Sequence, residues 1–461
     1  MDTRFPLEDQ IAMLASSLQG RVVLPADADY DAVRQVTLAN FDRRPHAVIR
    51  VASAADVAAV VNFARATDLE LAVRSGGHST VGSSGTDRGV VIDLRDLNSI
   101  DIDARAQTVW AGTGLTAGEV TRAVEQRGLI VGFGDSATVG IGGLTLGGGI
   151  GYLVRKYGLT IDSLLAAEVV TAKGDIVIAD ANSEPDLFWA IRGGGGNFGV
   201  VTRLKFKLHP LPAFTGGPLV LPATAEIIAG FAAAAEAAPD DLSTIALVVT
   251  APPAPFIPPA LHGKLVLIGM MAFAGEPDAA QRALAPFRAL GTPIADLVGP
   301  APYSSLYMMD PPPEMRSAVS IRSRFLQRFG IEDARKMLAA LERCDAPMKM
   351  AQVRVLGGAF SHIAAGSTAF AHRDADVMVA FLAMYGGGPE VIANYDRWAA
   401  ESLATIEAGA AGAYVNFLGD EGAEGLKAAY PSETWERLRK IKRMYDPQNL
   451  FRLNQNVPPA A

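Results

Sequence analysis

Cysteine is almost absent from this chain of 461 residues: Cys344 stands alone. An intramolecular disulfide is therefore impossible, which excludes a small secreted scaffold held by bridges. Basic excess is missing too. Net charge is -8, with no block of like charges. Such a surface repels a phosphate backbone, so nucleic acid is excluded as a partner. Long apolar runs are also lacking. The alanine-rich stretches are broken by charges and prolines, and none has the length needed to span a bilayer. Phe5 and Pro6 are followed by Leu-Glu-Asp-Gln rather than an apolar core, unlike a secretory signal. A cytoplasmic, bacterial protein without a membrane partner is the expectation. What remains is an ordinary globular balance, 49% hydrophobic and 20% charged, long enough for two or three domains.

Local patterns set the organisation. A helix is expected from Leu7, and strand and helix alternate from Val48. Ser53 to Asp56 and Thr116 to Glu119 have capping-box spacing, each followed by apolar residues at helical intervals. Strands are expected at Val90–Leu94, Val109–Ala111 and Val200–Leu208, with a hairpin turning at Lys173-Gly174 and a helix opening at Pro185. Composition shifts between Pro210 and Pro222, which marks a boundary. Beyond it, expected strands Ala246–Thr250, Leu265–Phe273, Met348–Leu356 and Val379–Tyr385 are separated by amphipathic helices over Ala279–Leu290 and Asp333–Cys344. That pattern predicts an antiparallel sheet covered by helices on one face. Two proline-rich stretches, Pro252–Pro259 and Pro311–Pro313, are expected as rigid loops.

Three glycine clusters fall in the first half, at 76–77, 140–151 and 193–199. One alone would read as a tight turn; three in one alternating region favour a bound cofactor. The first lies in Arg74-Ser75-Gly76-Gly77-His78-Ser79, directly after the apolar run Leu69–Val73. Glycines let the backbone N–H groups approach an anion, the serines add donors, and Arg74 adds charge. A histidine inside a phosphate cradle suggests a cofactor held by its pyrophosphate and gripped elsewhere by imidazole, which points to a covalently attached flavin. A nicotinamide Rossmann site fits less well: Gly147–Gly151 lacks the G-x-G-x-x-G frame, and Val200 opens a strand where a helix is required.

Taken together, Arg74–Ser79, the run Thr138–Gly151, the segment Asp186–Gly199, Tyr414-Val415-Asn416 and the tail Tyr445–Arg452 resemble the berberine-bridge-enzyme-like branch of the vanillyl-alcohol-oxidase (PCMH-type) flavoproteins. The likeness covers nearly the whole chain and keeps the motif order. It implies an α+β fold. A two-subdomain FAD-binding domain spans 1–210, with its core about 42–210. A substrate domain spans 211–410, and 411–461 returns to complete the FAD domain. It implies FAD contacts from Arg74, Ser75, Gly76, Gly77, His78, Ser79, Ser136, Thr138, Val139, Gly142, Gly143, Leu144, Gly147, Gly148, Gly149, Gly199, Val200, Tyr414, Asn416 and Asn454.

In this family the motif histidine bonds the flavin 8-alpha methyl carbon. A neutral imidazole is available near pH 7 for that role. A second bond in many members comes from a cysteine whose place is taken here by Ser136, and a hydroxyl is too weak an acid to replace a thiolate. Cys344 reads as a packing residue of its helix. Attachment through His78 only is expected. Val139 stands where a small side chain is associated with reaction with O2, so an oxidase releasing hydrogen peroxide is expected; a dehydrogenase using another acceptor, or a flavin-holding ligand-binding protein without turnover, are the alternatives.

The expected substrate is a small molecule oxidised at an alcohol, sugar or amine carbon. Tyr414 is the first candidate base, with a phenol lowered by nearby charge. Gln352 and Arg354 alternate onto one face of their strand, so Arg354 could supply that charge. Tyr385 is the second candidate. The carboxylate base that some members carry on this strand is missing. His362 and His372 are further site-like side chains, and no metal site is expected.

Overall fold

The computed structural model describes residues 5–461 except 309–315, 407, 408, 410 and 411. The expected loop Pro311–Pro313 lies outside the described residues.

A small sheet comes first. Glu70–Arg74 and Ala47–Arg50 run parallel to Gly89–Asp93 on either side, and Arg21–Val23 adds an antiparallel edge. Parallel neighbours need a crossover, here the helix Ala54–Thr67. Its Val57, Val60, Val61 and Ala64 are buried against the sheet. Ser53 accepts from the Asp56 N–H, but Asp56 does not close a capping box. Its carboxylate instead takes the N–H groups of Gln19, Gly20 and Ala52, joining the start of the helix to the first strand. Thr116 and Glu119 do form the full reciprocal box.

A second, antiparallel sheet orders Ile100–Asp103, Thr108–Gly112, Val200–Lys207, Leu164–Val170 and Ile176–Asp180. Between these two sheets run the loops carrying the glycine clusters.

The third sheet is large and wholly antiparallel. Its order is Ala295–Asp296, Phe214–Pro222, Leu265–Ala274, Leu242–Thr250, Met348–Val355, Val377–Tyr385 and Ala318–Leu326, with Gly299–Pro300 also pairing Phe214–Pro222. One face buries Leu221, Val248, Leu267, Val353 and Phe381 against helices Ala225–Glu236, Pro277–Arg288, Ile331–Glu342 and Pro389–Ala404. The opposite face turns toward the first half of the chain, so alternate residues of one strand serve the core and the site.

Two of the long strands were not expected. Phe214–Pro222 carries Gly216, Gly217 and Pro218, which read as breakers. They are tolerated near the sheet margin, where the outer partners are two-residue pieces. Ala318–Leu326 carries Arg322 and Arg324. It is an edge strand, where charges are common because they discourage edge pairing.

The last residues return to the first half. In helix Ser432–Tyr445, the Lys442 ammonium is fully buried. It donates to Asp446 at 2.7 Å and to the carbonyls of Asn197 and Phe451. Asp446 in turn accepts the N–H groups of Leu450 and Phe451. This paired charge fastens the tail to the third glycine cluster.

Candidate active site

A cavity of about 450 Å³ lies between the glycine loops and the free face of the large sheet. At one end it is lined by Ser75, Gly76, Gly77, His78, Ser79, Gly142, Gly143, Leu144, Gly199, Val200 and Asn454. At the other end are Asp135, Val139, Met308, Ile321, Gln352, Arg354, Leu382, Tyr414, Asn416 and Phe417. A second cavity, of about 490 Å³, opens beyond Thr80–Ser83. It is lined by surface ion pairs such as Arg43–Asp87 and contains neither His78 nor the glycine-rich loops of residues 140–149, so the chemistry belongs to the first.

The first two glycine loops are packed backbone to backbone. A Cβ at Gly76 would lie 2.3 Å from the Gly140 nitrogen, and one at Gly140 would lie 2.2 Å from the Gly76 nitrogen. By contrast, a Cβ at Gly143 or Gly196 would meet nothing within 4 Å and would project into open space. Asn454 lines the same end with a buried side-chain oxygen that has no protein partner among the described residues. A cradle of bare backbone with an unanswered polar atom fits a nucleotide cofactor such as FAD.

His78 reaches this cavity half-buried, its Nε2 3.3 Å from the Thr138 hydroxyl, which is itself 3.2 Å from the Ser136 hydroxyl. Thr138 thus contacts the histidine directly and Ser136 contacts Thr138.

Arg74 departs from its expected role. Its guanidinium is 2% exposed, pairs with Asp93 at 2.9 Å and donates to the carbonyls of Val33, Arg34 and Gln35. It braces the loop from beneath and offers no charge to the cavity, because Asp93 lies within reach and burial without a partner would be costly.

Gly147, Gly148 and Gly149 also lie outside the lining. They hold the Tyr414-Val415-Asn416 segment. A Cβ at Gly147 would sit 2.0 Å from Asn416 Oδ1, and the Gly149 N–H donates to the Tyr414 hydroxyl at 3.0 Å.

Tyr414 is buried among Phe325, Phe370 and Phe417. Its oxygen also accepts from the Asn416 amide at 3.0 Å. Burial raises its phenol above the ordinary value and outweighs the lowering by these donors and by Arg354. A base at Tyr414 would need a lowered phenol, and the structure holds it the other way, as a hydroxyl whose oxygen accepts N–H donors.

Gln352 and Arg354 do converge on the cavity, as their alternation implied. Arg354 donates to Asp135 at 2.6 Å, to Gln352 at 2.9 and 3.2 Å and to the Ile150 carbonyl, and lies 5.5 Å over the Phe417 ring. Asp135 is the residue the sequence reading missed. Its strongest signal is position: it follows the buried run Leu129–Phe133 and precedes Ser136, the site already singled out.

Tyr385 is not in the cavity. Its hydroxyl bonds Ser320 at 2.6 Å, and its ring packs on Tyr395 beside Cys344. The strand ends there with Tyr385 facing a satellite core, so it cannot serve as an acid or base for this site. His362 is exposed, and buried His372 bonds the Ala429 carbonyl at 3.1 Å. Among the described residues no cluster suited to a metal exists.

Residues 45–180 match the FAD binding domain family, and 413–458 match the berberine and berberine-like family. The chain is 32% identical to (R)-6-hydroxynicotine oxidase of Paenarthrobacter nicotinovorans, over 96% of this chain and 97% of that one. This chain belongs to the berberine-bridge-enzyme-like FAD-linked oxidoreductases. An uncharacterised FAD-linked oxidoreductase of Bacillus subtilis is 30% identical over 97% of this chain and 98% of its own length. The crystal structure of 6-hydroxy-D-nicotine oxidase from Arthrobacter nicotinovorans superposes with a TM-score of 0.86 at 29% identity, covering 96% of this chain and 99% of that one. A chitooligosaccharide oxidase shares the fold at a TM-score of 0.85 and 20% identity, over 98% and 100%. As in those relatives, the fold is that of the vanillyl-alcohol-oxidase flavoproteins. The chain is an FAD-linked oxidoreductase, and among the described residues no helix is long and apolar enough to cross a membrane.

Proposed function

We propose that this oxidoreductase is an oxidase. It removes hydride from an alcohol, sugar or amine carbon of a small molecule, holds FAD covalently through His78 alone, and returns the electrons to O2 as hydrogen peroxide. The carrying observation is one cavity that joins a bare glycine cradle and His78 to a polar end built from Tyr414, Gln352 and Arg354. FAD supplies the two-electron acceptor. The chain's residues supply position and proton handling.

Several features support the reading. The imidazole of His78 lies at the cavity wall with Thr138 behind it. Ser136, bridged to the cavity-lining Met308, carries no thiol. Val139, a small apolar side chain, also lines the cavity, which leaves room for O2 that extra methylenes would fill. The relative named an oxidase is similar over its whole length.

Anaerobic mixing with alcohols, sugars and cyclic amines should bleach the visible flavin band. Readmitted air should restore it within seconds, with peroxide equal to the flavin reduced. Bleaching followed by sluggish return in air would identify a dehydrogenase instead.

Tyr414 acts here as a neutral donor that orients the substrate. Burial holds its phenol above the ordinary value, so the bleaching rate should show no rising limb from this group in mildly alkaline buffer. Tyr414→Phe should slow bleaching by about 10²-fold with the profile's shape unchanged. A wild-type rise between pH 8 and 10 that disappears in Tyr414→Phe would show a titrating phenol and refute the donor role.

A further inference from the structure

The polar end of the cavity contains one acidic and one basic side chain, Asp135 and Arg354, and they are paired with each other. All three guanidinium nitrogens of Arg354 already donate: Nε to Gln352, Nη1 to the Ile150 carbonyl, and Nη2 to both Asp135 and Gln352. The arginine is thus committed to protein acceptors. Asp135 differs. Its Oδ2 receives Arg354, while Oδ1 has no protein hydrogen bond among the described residues, and 17% of the side chain is open. The surrounding wall is apolar: Met308, Ile321, Leu382 and the Phe417 ring.

We propose that Asp135 determines specificity at the substrate end, admitting an uncharged hydrogen-bond donor, an alcohol or a neutral amine, and rejecting carboxylates. The inference rests on the reading that the glycine end holds the cofactor, which leaves this end for substrate. A neutral donor places its O–H or N–H on Asp135 Oδ1 and its carbon skeleton on the apolar wall. A carboxylate would meet the Asp135 charge in a low-dielectric wall while Arg354 is already spent. A protonated amine would lose its hydration and find a net-neutral pair, which returns little.

The test uses binding rather than turnover, on the whole chain as purified, with ligand-observed NMR titration of two probes of equal shape, benzyl alcohol and benzoate. Wild type should bind benzyl alcohol at least roughly tenfold more tightly than benzoate. Asp135→Asn, which keeps size, should reverse the order, with benzoate gaining at least about tenfold as Arg354 is uncovered. The double variant Asp135→Asn/Arg354→Gln should lose that gain. Equal or tighter benzoate binding by wild type, no binding of benzyl alcohol, or benzoate affinity unmoved by Asp135→Asn would each overturn the proposal. Where Asp135→Asn fails to fold, the wild-type comparison decides by itself. The visible band of the same samples reports separately on the flavin, so a colourless protein that keeps the probe preference refutes the flavin reading and not this one.

Discussion

His78→Ala should leave no colour in the acid-precipitated protein, whereas wild-type precipitate stays yellow. The effect is all or none because a covalent tether survives unfolding and a non-covalent one does not. The proposal of a single tether at His78 rests on three side chains. Its imidazole lines the cavity, Ser136 offers only a hydroxyl, and Cys344 is buried in a satellite core beside Tyr385, away from the cavity. Burial also raises the Cys344 thiol, which keeps it from acting as a nucleophile. The His78→Ala protein should still take up FAD reversibly, since the glycine cradle and Asn454 remain. A colourless wild-type precipitate would refute covalent attachment, and a yellow His78→Ala precipitate would require a second tether.

Lys442→Ala should destabilise the protein by about 3–5 kcal/mol, the cost of stranding one member of a buried charge pair. Three acceptors lose their donor at once: the Asp446 carboxylate and the carbonyls of Asn197 and Phe451. Replacing Asp446 as well should not rescue the loss, because its carboxylate also takes the N–H groups of Leu450 and Phe451. Asn197 lies in the third glycine cluster, and Asn454 follows Phe451, so the same substitution should loosen the cofactor end. Urea titration followed by tryptophan and flavin fluorescence would test this. A midpoint like wild type would show that the pair carries no net stability.

Motif residues were legible where local chemistry decides their use. The glycines, His78 and the alternation of Gln352 and Arg354 follow from backbone reach and from a two-residue strand period, and the cavity is built from them. Arg74 and Gly147 to Gly149, expected in the site by the same reasoning, stand outside the cavity's lining. Being next to a motif in the chain does not say whether a side chain points into the site or behind it. Arg74 turns to Asp93, nineteen residues on, and Gly147 yields to Asn416 from the returning tail. Tyr385 failed for a related reason, since the side on which a strand-end residue emerges depends on its neighbours in the sheet.

The sequence by itself determined the chemistry available: one thiol out of reach of any other, three glycine loops, a histidine within the first, and a family order of motifs along the whole chain. Only the tertiary structure decided charge and direction. It set Asp135, from the first half of the chain, against Arg354, from the large sheet, 219 positions away. It sank Tyr414 deeply enough for burial to push its phenol above the ordinary value. Both outcomes depend on which groups share a low-dielectric space, and that is a property of packing between distant segments rather than of any one of them.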